Sequence, residues 1–523
     1  MENGRSKKGL FQKFLDFVEW LGNKLPHPVT LFAILAGLTL IGSWIFSMLD
    51  VSVMHPGEEE GTVEVANLLS AEGISYIFLN MTDNFINFAP LGVVLVTMLG
   101  IGVAEHSGLI SAALRGFVLS IPKSLITAGL VFAGIMSSLA SDAGYVVLPP
   151  LGAVIYLALG RHPLAGLAAA FAGVSAGFSA NLLISGTDVM LAELSTAAAA
   201  TIDPAYAETM NVTMNWFFIA ASVFVLTLVG WFVSDKIVEP RLGSFSSADM
   251  DGSEEQEGED YMAPLTKVEK RGLWTAFISV VIGLGLALSL VVFPNSPMRG
   301  EEGTYLDTII QSPFMDGLVP IIAILFFIPG LVYGMVTRSI KNDKDVAAQM
   351  TKTMASMGMF IVLAFTAGQF VAYFNESNLG LVIGVYGADM LENLNLTGIP
   401  LIIGFILVTA FINLFIGSAS AKWAMMAPIF IPIMMQLGYS PELTTMAYRV
   451  ADSSTNIITP LMTYFAIIIA FAQQYDKNIG IGTLISVMLP YSIFFLITWS
   501  IMLIVWMLSG IPLGPGAPIY YPG

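Results

Sequence analysis

Tyr448-Arg449-Val450-Ala451-Asp452-Ser453-Ser454-Thr455-Asn456-Ile457-Ile458-Thr459-Pro460 lies in an apolar tract that runs from Pro441 to about Gln473. Arg449 and Asp452 stand three apart, which places them on one face of a helix. At the centre of a spanning helix each costs roughly 2.5–3.5 kcal/mol on insertion scales, so residues of this kind work or pair. An ion pair locking the helix is the structural alternative. From Ser453 onward hydroxyl and amide side chains dominate, and Pro460 cannot continue a helix. The stretch reads as a span that breaks around Asp452 to Pro460 and offers carbonyl oxygens. Hard cations such as Na⁺ take oxygen ligands of that kind.

The rest of the chain fits a membrane setting. Of 523 residues, 56% are hydrophobic and only 11% charged. Soluble domains carry about 25% charged residues. This composition excludes a soluble enzyme, a disordered chain and a nucleic-acid binder. With no cysteine there is no disulfide and no thiolate chemistry. His27, His55, His106 and His162 are far apart and lack zinc-site spacing. The net charge of −17 owes much to acids between Asp249 and Asp260, which read as a solvated loop. No P-loop is present, which argues against ATP-driven work in this chain.

Hydropathy and Lys/Arg placement set the spans. The N-terminus is basic (Arg5, Lys7, Lys8, Lys13, Lys24) and reads as cytoplasmic, followed by a first span at 28–49. An acidic outer loop without Lys or Arg covers 50–88. Further spans fall at 89–103, from Pro163, at 216–233, 272–293, 317–337 and 355–375, from Pro441, and at 484–508. The two that begin at Pro163 and Pro441 are interrupted, near Ser179 to Asp188 and near Asp452 to Pro460. Runs 122–140 and 144–159 form a hairpin, as do 399–417 and 423–437, the latter joined by Ser418 to Lys422. Basic residues agree with every turn except the short Asp476-Lys477 loop. The expected fold is all-α and polytopic, with nine transmembrane helices, two re-entrant helical hairpins and an inverted-topology repeat with broken helices.

The repeat has a sequence trace. Pro150, Ile155, Leu159-Gly160 and Pro163 recur as Pro428, Ile433, Leu437-Gly438 and Pro441. Each half reads span, hairpin, broken span, span, entering from opposite sides. Six segments follow: 1–88, with the first span and outer loop; 89–234, the first repeat; 235–271, an acidic cytoplasmic linker; 272–354, central scaffold helices; 355–510, the second repeat; and 511–523, the tail. In such folds substrate and ions bind near mid-membrane, where hairpin tips meet broken helices.

Candidate site residues come from those places. Arg449, Asp452 and the amides Asn181 and Asn456 lie at the two breaks. Asp188 is an intramembrane acid, read as a proton or amine partner or as a helix cap. Asn413 and Gly417 end the first arm of the second hairpin and with Asp452 suit a cation, although a helix C-cap explains them too. Ser420, Lys422 and Trp423 mark the hairpin tip, where Trp423 offers a flat aromatic face. Lys422 attracts an anion or neutralises Asp452. Asp142 marks the other tip. Gly283-Leu284-Gly285 reads as a helix-packing site.

These motifs, above all Ser420-Ala421-Lys422-Trp423, Tyr448 to Ser453, Asn456 to Pro460 and Asn181 to Asp188, resemble those of the AbgT family of transporters over nearly the whole chain. The resemblance implies a homodimer in the inner membrane that moves p-aminobenzoyl-glutamate, or exports sulfonamide antimetabolites. It implies substrate contacts at Asp188, Ser420, Trp423, Pro441, Arg449, Asp452 and Pro460. It also implies cation contacts at Asn413, Gly417 and Asp452. No cofactor is expected, only Na⁺ or H⁺ as the coupling ion. The expected partners are the lipid bilayer, a second copy of the chain and an aromatic amide of glutamate or a sulfonamide. The residues fit that substrate: Arg449 can grip a carboxylate with its fork and Trp423 can stack on a ring. Sodium–dicarboxylate transporters repeat Ser-Asn-Thr in both halves. Here the pieces are Ser179-Ala180-Asn181 and Ser454-Thr455-Asn456, which argues against simple dicarboxylates. A channel needs no paired broken helices, and a hydrolase needs a nucleophile with a base, or a metal; neither set is apparent.

Overall fold

The structure is a computed structural model that describes residues 26–54, 62–140, 143–243, 245, 264–300, 305, 307–310, 312–459, 462, 464–477 and 479–522. The basic N-terminal cluster, Glu58 to Glu60, Asp142, the acidic stretch 249–260, Glu301, Glu302 and Pro460 lie outside the described residues.

The chain folds almost wholly into helices: α1 (Pro28–Met48), α2 (Ala71–Ile86), α3 (Ala89–His106), α4 (Leu109–Ser120), α5 (Ile126–Met136), α6 (Ala143–Ala158), α7 (Pro163–Phe171), α8 (Gly186–Ala199), α9 (Trp216–Val233), α10 (Lys267–Ser289), α11 (Leu318–Thr337), α12 (Asp343–Ser356), α13 (Gly358–Glu376), α14 (Leu379–Asn393), α15 (Gly398–Asn413), α16 (Ala419–Gln436), α17 (Pro441–Asn456), α18 (Phe465–Gln473) and α19 (Ile481–Ser509). Among the described residues seven helices, with α2 and α3 counted together, are long and apolar enough to cross a membrane. The tally reaches nine when each of two sharply bent pairs, 109–120 with 123–139 and 379–393 with 398–413, is counted as one span. Prolines open α1, α7 and α17 at their first positions, where a missing N–H costs nothing.

The order of elements repeats. A span (α3, α13), a lead-in helix (α4, α14), two hairpin arms (α5–α6, α15–α16), a broken crossing (α7–α8, α17–α18) and a final span (α9, α19) occur in each half. Each lead-in helix meets its first hairpin arm at a sharp bend, 113° in the first half and 119° in the second. Both second arms hold two internal prolines, Pro149 and Pro150 in α6 and Pro428 and Pro432 in α16.

Several boundaries differ from the sequence reading. The second broken crossing stays helical through Asp452 and ends at Asn456, not at Asp452. The hydroxyls of Ser454 and Thr455 bond back to the carbonyls of Val450 and Ala451, so these polar side chains are satisfied within the helix. The second hairpin turns at 414–418, earlier than Ser418 to Lys422, because Ser418 caps α16 by accepting from the Ala421 amide. Ser420, Lys422 and Trp423 therefore ride on the first turns of a helix. The lead-in helices were not foreseen, nor was the content of the first outer loop. That loop holds an antiparallel pair, β1 (Ser52–Met54) with β2 (Thr62–Glu64), as well as α2. Of the glycine pair in α10, a Cβ on Gly283 would meet Leu325, whereas Gly285 faces open space.

Packing centres on the broken crossings. Every residue of α7 and of α17 is buried, as expected of helices enclosed on all sides. Small residues allow the close approach. A Cβ on Gly166 of α7 would stand 2.1 Å from the carbonyl oxygen of Gly152 in α6, and one on Gly100 of α3 would stand 2.0 Å from that of Ala323 in α11. In lipid, where no hydrophobic force draws helices together, such backbone contact is a main source of association.

Candidate functional site

The two breaks meet. The backbone amide of Ser179, in the gap between α7 and α8, donates to the Ser453 hydroxyl on α17 at 3.1 Å. Arg449, one turn earlier on α17, donates to the Ser179 carbonyl at 3.2 Å and to the Asp188 carboxylate. Asp188 has a second duty. Its other oxygen accepts from the Ser185 amide at 2.6 Å and the Ser185 hydroxyl at 2.7 Å, closing a capping box on α8. The cap reading of Asp188 holds, and the same carboxylate is ion-paired at its other oxygen. The partner is an arginine of the other half.

Arg449 and Asp452 do not pair with each other, which corrects the ion-pair lock considered from their spacing. Asp452 faces Lys422 of α16, with the ammonium 2.5 Å from its Oδ1. Oδ1 is held by that ion pair. The same ammonium donates to Asn413 Oδ1 and to the Ile416 carbonyl, the latter at 3.3 Å. The Asn413 amide in turn donates to the Asp452 carbonyl at 2.7 Å, Thr455 Oγ1 at 2.8 Å and Asn456 Oδ1 at 2.9 Å. Asn413 and Asp452 therefore come together, with Gly417 next to Ile416 in the joint. The oxygens are of the type a hard cation takes. In this structure the Lys422 ammonium stands among them.

The first half repeats the theme more simply. Asn181 donates to the hydroxyl of Ser138 at the first hairpin tip, at 2.8 Å. Each break thus holds its own hairpin tip through an asparagine.

Trp423 is fully buried. Its indole N–H donates to Ser195 of α8 at 2.9 Å, and its ring lies 4.4 Å, centroid to centroid, from Tyr448. Ser195 also bonds Thr445 at 2.7 Å. Sequence reasoning missed this clamp, because Ser195 sits in an Ala-rich helix without a motif. Ser420, at the start of α16, lies 3.3 Å from the Ser418 hydroxyl. Pro441 is not part of the cluster: eight residues before Arg449, it lies about 12 Å down the helix and is the first residue of α17.

Ten buried side-chain polar atoms lack a hydrogen-bond partner among the described residues, and five sit at the breaks: Ser179 Oγ, Asn181 Oδ1, Arg449 Nε and both Asp452 oxygens, Oδ1 of which is ion-paired with Lys422. Buried polar groups are normally paired, and exceptions mark sites. Two repeats of one element order, a buried ion pair that joins them and a second beside it define a membrane transporter.

The comparisons agree. Residues 13–521 match the model of the "AbgT putative transporter family", and the chain belongs to that family. It is 40% identical over 505 residues to the p-aminobenzoyl-glutamate transport protein of Escherichia coli (strain K12), covering 96% of each chain. Among solved structures, the YdaH transporter of Alcanivorax borkumensis is 44% identical with a TM-score of 0.86, covering 94% of this chain and 100% of that one. MtrF of Neisseria gonorrhoeae, presented as illuminating a class of antimetabolite efflux pumps, is 48% identical with a TM-score of 0.90. That match covers 97% of this chain and 100% of that one.

Proposed function

We propose that this transporter moves p-aminobenzoyl-glutamate across the bacterial inner membrane, N-terminus in the cytoplasm and as a homodimer, by exchanging charge partners at the two breaks. The observation that carries the reading is the closed Arg449–Asp188 pair beside an Arg449 Nε that has no hydrogen-bond partner among the described residues. A substrate carboxylate suits the guanidinium fork and competes with Asp188 for it. Asp188, once displaced, is a buried charge that needs a cation or a proton. Asp452 has the same need whenever Lys422 turns away. Substrate anion and coupling cation then enter together, which is the logic of symport. The coupling ion in this scheme is Na⁺ or H⁺. The E. coli relative's name supports the substrate, and Trp423 with Tyr448 supplies aromatic surface next to the arginine.

The test is uptake of labelled p-aminobenzoyl-glutamate into proteoliposomes under an inward Na⁺ gradient or a pH gradient, with Asp452→Asn alongside. Saturable, gradient-driven uptake lost in the variant is the expected result. Equal accumulation with and without a gradient refutes the coupling.

Proton-driven export of sulfonamides is the second reading, favoured by the 48% identity to MtrF. Sulfonamides keep the aminobenzene ring and lack the glutamate, so they depend less on Arg449. Expression then lowers cellular drug content, and Asp188→Asn abolishes that effect.

A further inference from the structure

A cavity of about 790 Å³ lies apart from the breaks. It is lined by Ser111 and Arg115 of α4, Tyr333 and Thr337 of α11, Leu151 of α6, the second arm of the first hairpin, and Phe471 of α18, the far half of the second broken crossing. The cavity therefore sits where both repeats meet the central helix α11. The helix α4 is two-faced. Ser111 and Arg115, four apart, line this cavity of mixed polarity, while Leu114 and Phe117 line a separate apolar groove against α10.

Arg115 is held in a particular way. It donates to Oε1 of Glu269, whose other oxygen is committed to the amide and hydroxyl of Thr266 in the capping box of α10. The carboxylate is thus fixed by a helix terminus and orients the guanidinium without using all of it. Arginine has five N–H donors; among the described residues only Nη2 of Arg115 is engaged, by Glu269, and the side chain stays 26% exposed. A guanidinium with donors to spare, set in a cavity whose lining includes hydroxyls and the rings of Tyr333 and Phe471, suits an aromatic carboxylate.

We propose that this cavity is a staging site where an organic carboxylate waits on Arg115 before reaching Arg449, and that motion of the first hairpin and α18 against α4 and α11 admits and discharges it. The identity of the ligand rests on the function proposed above; the site itself rests on the cavity and the arginine.

The absence of cysteine makes a direct test available, because Ser111→Cys introduces a single thiol into the cavity. The readout is the rate of maleimide labelling of purified protein with and without p-aminobenzoyl-glutamate, or its uncharged diamide. The expected result is at least a fivefold slowing by the dianion and none by the diamide. Protection should persist in Arg449→Lys, vanish in Arg115→Gln and return in part in Arg115→Lys. Protection lost in Arg449→Lys but kept in Arg115→Gln means that the thiol senses the central site, and overturns the proposal. So does an unprotected thiol in protein that calorimetry shows to bind the dianion. If the wild type neither binds nor carries the dianion, the substrate reading fails first. The thiol is then probed with hippurate and benzoate, and protection by neither overturns the staging site as well.

Discussion

Arg449, in the second repeat, binds Asp188, in the first, across 261 residues of sequence. Both side chains are buried, so each is the main reason the other tolerates its place. Breaking a buried pair by removing one partner typically costs about 3–5 kcal/mol, because a lone charge remains. Asp188→Asn and Arg449→Gln should each lower the melting temperature sharply. The double variant, with neither charge, should recover most of the loss while transport stays absent in all three. Thermal unfolding and proteoliposome uptake read the two effects separately. A double variant no more stable than the singles contradicts the pair's role.

The second pair predicts something different. Lys422 places its own ammonium beside Asp452, Asn413 Oδ1 and the Ile416 carbonyl. Lys422→Gln removes that resident cation and leaves the carboxylate to a diffusible one. Half-saturation of uptake by the coupling cation should fall by about tenfold, equivalent to about 1.4 kcal/mol, with the substrate constant little changed. An unaltered cation requirement shows that the ammonium does not compete.

The glycine contacts separate packing from function. Gly166→Val forces a side chain into the Gly152 carbonyl, whereas Gly285→Val enters open space. Overpacking of this kind costs typically 1–3 kcal/mol or more. The first variant should lose most of its folded yield in fluorescence-detected size-exclusion chromatography. The second should match the wild type.

A pH effect is expected outside the membrane spans, where Tyr521 near the end of the chain donates to Asp203 at 2.7 Å and the Tyr206 amide donates at 2.9 Å. These bonds, the Tyr206 amide first, hold the Asp203 carboxyl below the usual carboxylate range. A lowered folded pKa means the stabilisation is present above the ordinary range and is lost as pH falls through the lowered value. The difference in melting temperature between wild type and Asp203→Asn should therefore be clear at neutral pH and shrink in acid. A difference that grows in acid has the wrong sign.

Much of this architecture was legible because lipid imposes a strict code. Spans announce themselves by apolar length, and the joint of the first hairpin by small polar residues; the same cue set the second joint too late. The lead-in helices α4 and α14 were not, since at 12 and 15 residues they fall short of a full crossing. At the site, sequence picked out Arg449, Asp452, Asp188 and Asn413 through the cost of polar groups in a membrane. It could not assign partners. Spacing suggested Arg449 with Asp452, but Arg449 chose an acid from the other half and Asp452 a lysine from the hairpin. Those choices depend on how the two repeats interlock, which no local pattern encodes. The reach of α17 to Asn456 was hidden for a related reason: Ser454 and Thr455 look like breakers until their hydroxyls find carbonyls one turn back.

The distance in sequence between Asp188 and Arg449 also sets an order of birth. At roughly 5–20 residues per second, a ribosome needs on the order of 15–50 s to synthesise what separates them. Throughout that interval the nascent first half holds an acid whose partner does not yet exist. The first repeat can enter the bilayer but cannot settle, and the arrival of Arg449 is the event that lets both halves lock. Maturation of this chain is in that sense an assembly reaction between two half-proteins that happen to share one polypeptide.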